Sequence, residues 1–315
     1  MRKHHYPIRL VYSERYTIPQ FLTGMHPIIE DLTHRYHSIV SELDTMGCRK
    51  IYTPDEVDPA IIESITTREY RDKLKNPNTI IPCLYGVEEH QTDIAFAVVE
   101  SIESMVMGTL KATQLSYAQG GLTINIGGGF HHARKDRCGG FSIYNDYLAA
   151  AQWIWDKNPA ARILYIDLDA HFGDGVLEEL GSDKRFYHYD VFNTFSDKGM
   201  IRTTGNCRIY GIPIHSSDSV YLGTIRETLE DAIDTVCPDF VLYNAGSDPL
   251  FGDELGQLGL SVRGLKVRDQ YVFEMIRKRN IPSIMTLSGG YTKRSVVAVT
   301  RSIQNLIISN RMFSD

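Results

Sequence analysis

Tyr165-Ile166-Asp167-Leu168-Asp169-Ala170-His171-Phe172-Gly173-Asp174-Gly175 is the stretch on which the reading of this chain turns. Its lead-in, Ile163 to Ile166, is apolar with β-branched residues, the pattern of a buried strand. It runs into three carboxylates and one imidazole, with two glycines loosening the backbone. Side chains alternate faces along a strand, so Asp167, Asp169 and His171 share one side while the strand lasts. A carboxylate and an imidazole two residues apart can close on a metal from one strand end. In open α/β sheets, ligands bind at the carboxyl ends of the strands. The same residue types after a strand also make plain hydrogen-bonded turns, so this stretch alone leaves both readings open.

Three further stretches supply complementary chemistry. Leu122–Ile126 leads into Gly127-Gly128-Gly129-Phe130-His131-His132. Phe240–Asn244 leads into Ala245-Gly246-Ser247-Asp248-Pro249, and Pro282–Leu287 into Ser288-Gly289-Gly290-Tyr291. Each is an apolar strand followed by glycine and a reactive side chain, and glycine there admits close approach of backbone and substrate. Singly, the histidines read as core residues, Asp248 as a turn residue and Tyr291 as a packed aromatic. Four such ends in one chain argue against coincidence.

With GGGFHHA, DLDAHFGDG, the Asp of NAGSDP and the SGGY end, the sequence resembles the histone deacetylases of the arginase-deacetylase fold. SGGY, the short loops and the opening VYSERY…HP look most similar to the class IV branch. The resemblance spans the chain from about Ile8 to the last helix, and it implies roles residue by residue. Asp169, His171 and Asp248 make a metal site whose three protein ligands leave a position open for water and substrate. Such ligands suit Zn²⁺ and also accept Fe²⁺ or Co²⁺. His131 and His132 handle protons, backed by Asp167 and Asp174 respectively, which fix tautomer and basicity. Tyr291 donates a hydrogen bond to the developing oxyanion. Gly140 and Phe141 match the family's substrate channel, and His26-Pro27 its pocket floor. A K⁺ or Na⁺ site maps to Asp167, Asp169, His171, Asp190 and Val191. Two departures stand out. Phe172 replaces a second histidine, which makes the pocket more apolar, and no acidic rim residue for gripping a peptide backbone is evident.

The composition agrees with a soluble globular protein: 315 residues, 43% hydrophobic and 23% charged. A net charge of −6 argues against direct nucleic-acid binding but leaves a lysine-bearing substrate open. Cys48, Cys83, Cys138, Cys207 and Cys237 are scattered and form no CxxC, which reads as free thiols in a reduced compartment. Arg2, Lys3, His4 and His5 precede no apolar signal core, and no stretch has the apolar length of a membrane span. A cytoplasmic or nuclear location is expected; an effector secreted without a cleavable signal would look the same.

Strands alternating with helical segments predict an α/β fold: a single domain over residues 1–315, with a central, mostly parallel sheet and helices on both faces. Helices are expected at Ile28–Met46 (closed by Gly47), Thr67–Leu74, Gln91–Ala118, Ser142–Trp155, Asp218–Val236, Val262–Arg279 and Arg294–Ser309. A short one opens at Asp58-Pro59 and another lies near Val176–Leu180. Lys75–Gly86 reads as loop, Lys50–Tyr52 as a short strand, and Phe186–Phe192 and Arg208–Ile212 as further strands. Function follows as zinc-dependent removal of acetyl or longer acyl groups from protein lysines. Small acylated amines are the alternative. An arginase-like ureohydrolase with two manganese ions is disfavoured, because Leu250 stands where a bridging carboxylate is needed.

Overall fold

The computed structural model describes residues 6–17, 27–45, 51–84 and 91–312. The chain runs from strand β1 (Ile8–Val11) through helix α1 (Pro27–Thr45) to the short β2 (Ile51–Tyr52). Three small helices follow: α2 (Pro59–Ser64), α3 (Arg68–Lys73) and α4 (Pro77–Ile80). The long α5 (Thr92–Gln119) leads into β3 (Leu122–Asn125). Then come α6 (Asp146–Lys157), β4 (Ile163–Asp167), α7 (Asp174–Leu180), β5 (Phe186–Thr194), β6 (Met200–Thr204) and β7 (Cys207–Pro213). The last part is α8 (Asp218–Val236), β8 (Phe240–Asn244), α9 (Val262–Lys278), β9 (Ser283–Thr286) and α10 (Lys293–Met312).

One open sheet of nine strands, in the order β2-β1-β3-β9-β8-β4-β5-β7-β6, organises the molecule. Every pairing is parallel except β6 with β7. β3, β9, β8 and β4 are buried along their whole length, as parallel strands covered by helices must be. Helices α1, α10, α9 and α8 pack in succession, as do α5, α6 and α7. The four strands that end in reactive residues are consecutive neighbours in the sheet. Their carboxyl ends therefore converge on one short stretch of the sheet edge.

Several expected boundaries shift for local reasons. Residues 142–144 precede α6, because the Asn145 side chain accepts from the Tyr147 amide and caps the helix there. The expected loop 75–86 contains α4: Asn76 caps it and Pro77 occupies its first turn, where no amide hydrogen is needed. The antiparallel β6 lacked a sequence signal, since every residue of Met200–Thr204 is exposed and no apolar alternation marks it. His26, Gly47, Lys50 and Cys48 lie outside the described residues.

Cysteine usage needs correction. Cys83 and Cys138, expected as free thiols, are disulfide-bonded with Cα atoms 6.0 Å apart. The Phe141 amide bonds to the Cys83 carbonyl at 2.9 Å, so the two segments meet by backbone pairing. Among the described residues, Cys207 (buried) and Cys237 (exposed) are free.

Candidate active site

The β4 and β8 ends bring Asp169, His171 and Asp248 together, with one potential ligand atom from each lying within 4.8 Å of the others. His171 Nδ1 is 2.8 Å from Asp248 Oδ2 and 3.1 Å from Asp169 Oδ1. Its Nε2 faces the Leu255 carbonyl at 3.1 Å. A carbonyl only accepts, so Nε2 carries a proton, and in the neutral ring Nδ1 would turn its lone pair toward two carboxylates. That arrangement is stable only with positive charge among the three groups. A proton on Nδ1 supplies that charge: burial opposes it, but the hydrogen bonds donated to Asp169 and Asp248 prevail and push the His171 pKa up to about 11. The donor set and its appetite for positive charge fit a divalent metal.

The triple-glycine end of β3 carries two histidine–carboxylate pairs. His131 Nδ1 bonds to Asp167 at 2.7 Å, and Asp167 also accepts from Tyr165, Asn244 and the Asp169 amide. Burial works against a charged His131, yet Asp167 and Asp169 outweigh it and raise its pKa to about 9. His132 Nδ1 bonds to Asp174 at 2.7 Å. Burial and the neighbouring His131 lower His132, despite Asp174. Arg134 also donates to Asp174 at 2.8 Å, and with His132 it holds that carboxyl well below the usual range against partial burial. The two rings lie 4.0 Å apart between centroids.

Tyr291 follows Ser288-Gly289-Gly290 at the β9 end. A Cβ on Gly289 would stand 2.6 Å from carboxylate oxygens of both Asp169 and Asp248, so only glycine lets this loop pass the site. Burial, then Asp169 and Asp248, raise the Tyr291 phenol well above its usual value, which keeps it a hydrogen-bond donor. Its ring lies against Phe141 at 5.4 Å. Gly140, beside Phe141, has φ +47°, and a side chain there would overlap the His132 ring.

One cavity joins these groups. It is lined by Gly140, Phe141 and Tyr291, by His131 and Asp169, and by Val98, Ile102 and Met105 of α5. Phe172, expected to make this pocket apolar, does not line it; its ring packs on Phe192 at 5.0 Å. The apolar wall comes from α5 instead. Asp190 and Val191 sit on β5, where Asp190 pairs with Asp167 of β4. Asp190 Oδ1 and His188 Nδ1 are buried without a hydrogen-bond partner.

Several supporting residues carried no sequence signal. Asp146, buried at the start of α6, accepts from the Gly129 and Phe130 amides at 2.9 Å and fixes the triple-glycine loop. Arg35 of α1 donates to the carbonyls of Leu287, Ser288 and Gly290. Arg268 of α9 spans Leu168, Ala245 and Gly246, clasping the β4 and β8 ends together. Their sequence surroundings are those of ordinary amphipathic helices, so nothing distinguishes them from solvated polar residues.

Residues 30–307 match the histone deacetylase domain. The chain belongs to the histone deacetylase family. It is 31% identical to Histone deacetylase 2 of Arabidopsis thaliana over 310 residues, covering 95% of this chain and 78% of that protein. Its fold is similar to that of the HDA15 HD domain, at TM-score 0.73, 17% identity and 97% and 89% coverage of the two chains. It is also similar to acetylpolyamine aminohydrolase from Burkholderia pseudomallei, at TM-score 0.74, 17% identity and 95% and 98% coverage. The nine-stranded, mostly parallel sheet is thus that of the histone deacetylases. Among the described residues of this family member, no helix is long and apolar enough to cross a membrane.

Proposed function

We propose that this chain, acting as one catalytic domain, is a zinc-dependent amidohydrolase that removes acetyl or longer acyl groups from protein lysine side chains. The observation that carries the reading is the convergence of Asp169, His171 and Asp248 beside two histidine–carboxylate pairs, with Asp169 and His131 on the wall of an apolar cavity. Zn²⁺ suits this ligand set, with Fe²⁺ or Co²⁺ as substitutes. When bound, such an ion polarises an amide carbonyl and acidifies water.

The protein's own groups then divide the work. His132, neutral and held at Nδ1 by Asp174, takes the proton of the attacking water at Nε2. His131, kept charged by Asp167, balances negative charge as it forms, and the pair delivers a proton to the departing amine. Tyr291 donates its hydroxyl hydrogen to the carbonyl oxygen. Gly140 and Phe141 flank the lysine chain. Asp167, Asp169, His171, Asp190 and Val191 are assigned to a K⁺ or Na⁺ ion, a reading supported by the unpartnered Asp190 oxygen. The α5 wall supports a class IV-like tolerance of long acyl chains.

The test is metal analysis alongside an acyl-lysine peptide panel from acetyl to myristoyl, with an acetylated polyamine as competitor. About one divalent transition metal per chain is expected. Asp248→Ala is expected to lose both metal and turnover. Two manganese ions per chain, or full turnover in the metal-free protein, sinks the proposal. Turnover of the polyamine alone moves the substrate class to small amines.

A further inference from the structure

Asp253 lies in the loop between β8 and α9 and is 3% exposed. Its carboxylate is committed in two directions. Oδ1 accepts from the amides of Leu255 and Gly256, at 3.1 and 3.0 Å. Oδ2 accepts from the amide of Tyr291 at 2.8 Å. The first set of bonds shapes the turn that presents the Leu255 carbonyl to His171 Nε2. The same turn is closed by the Gln257 amide on the Asp253 carbonyl and by Asn193 on the Gly256 carbonyl. The second bond fixes the main chain from which the Tyr291 phenol projects. Gly290, with φ +142°, gives that segment freedom that a bond at Tyr291 N removes.

We propose that Asp253 is a positioning residue that joins the two halves of the catalytic centre. Through Leu255 it sets the tautomer of His171, and through the Tyr291 amide it sets the oxyanion donor. An outer partner that fixes a ligand histidine typically carries a 10- to 100-fold effect on metal affinity. The main-chain bond to Tyr291 acts on the transition state alone, so its loss belongs in kcat and not in KM. A carboxylate is required because both oxygens must accept; an amide can satisfy only one side. The catalytic half rests on the deacylase reading, whereas the metal half does not.

Two variants separate the halves. In Asp253→Asn, the amide oxygen keeps the two donors of Leu255 and Gly256, and its N–H₂ then opposes the Tyr291 amide. Zn²⁺ affinity, measured by chelator competition, should stay within about threefold of wild type, while kcat falls about tenfold or more at nearly constant KM. In a Tyr291→Phe background, the same substitution should change kcat by less than about twofold, because the group it positions is gone. Asp253→Ala removes both arms and should weaken Zn²⁺ about 10-fold or more. An equal kcat loss from Asp253→Asn in both backgrounds overturns the coupling to Tyr291. Wild-type Zn²⁺ affinity in folded Asp253→Ala overturns the coupling to His171. Should wild type hydrolyse no acyl-lysine peptide, the deacylase reading falls, and the Zn²⁺ comparison still decides the metal half.

Discussion

Ile102→Phe tests whether the cavity behind the metal site is acyl space. Ile102 sits on α5 with 4% exposure and lines the cavity together with Val98 and Met105. The outer two of these positions are seven residues apart along the helix, a wall about 10 Å long. Phe carries three more side-chain carbons than Ile, so it displaces roughly three methylenes of a chain lying along that wall. At about 0.8 kcal/mol per methylene, the loss is about 2.4 kcal/mol, or about 60-fold in kcat/KM. If the wall is acyl space, the two-carbon acetyl group is too short to lie along it, so acetyl-lysine should lose little. The assay compares kcat/KM for decanoyl- and acetyl-lysine peptides in the same preparation. Overpacking a core costs about 1–3 kcal/mol of stability, but a smaller folded fraction lowers both rates alike and cancels in the ratio. The decanoyl-to-acetyl ratio should fall by one to two orders of magnitude. A ratio unchanged from wild type removes the α5 wall from acyl recognition.

Tyr291→Phe deletes one hydroxyl and no metal ligand, so zinc content should hold while kcat falls on the order of 100- to 1000-fold, or about 3–4 kcal/mol; a metal-replete variant with near wild-type turnover removes Tyr291 from the chemistry. Asp174→Asn takes a negative charge from His132, so the His132 pKa, already lowered by burial, should drop further. The acidic limb of kcat/KM should then move to lower pH and the plateau should fall, and a limb that stays in place or moves up refutes the pairing. Cys83→Ser opens a cross-link spanning 55 residues, and loop-closure entropy sets its contribution at about 4 kcal/mol. Urea unfolding of oxidised wild type and the variant measures the difference, and coincident curves would falsify a stabilising disulfide.

Much of the site was legible because its parts lie at strand ends. Apolar runs ending in glycine and a reactive side chain mark β3, β4, β8 and β9 whatever the order of the sheet. Their adjacency was not legible, since it depends on crossovers that leave no local trace. Asp253, Asp146, Arg35 and Arg268 were missed for a shared reason. Each acts through hydrogen bonds to backbone groups far away in sequence, and such bonds impose no pattern on the chain around them. The Cys83–Cys138 link is similar: 55 residues separate cysteines that no spacing rule connects. Phe172 misled for the opposite reason. Its neighbours in sequence face the site, but its ring turns under β5 to meet Phe192.

The two histidine–carboxylate pairs look alike in sequence and differ in their surroundings, and on the mechanism we propose that difference separates their roles. Asp167 is fully buried and gathers donors from Tyr165, Asn244 and the Asp169 amide, so its charge is directed into a dry interior. His131 answers with a pKa pushed up to about 9. Asp174 stands at the surface, shares its charge with Arg134 and is 42% exposed, so less of its field reaches His132. The nearby charge of His131 then adds to burial and keeps His132 neutral. A base must be neutral before it can accept a proton, and a cation that balances charge must still hold its proton while the water attacks. The proteins that exchange these environments would exchange the roles: a buried partner behind His132 would silence it as a base. On the proposed mechanism, division of labour between adjacent identical residues thus follows from what stands behind each ring.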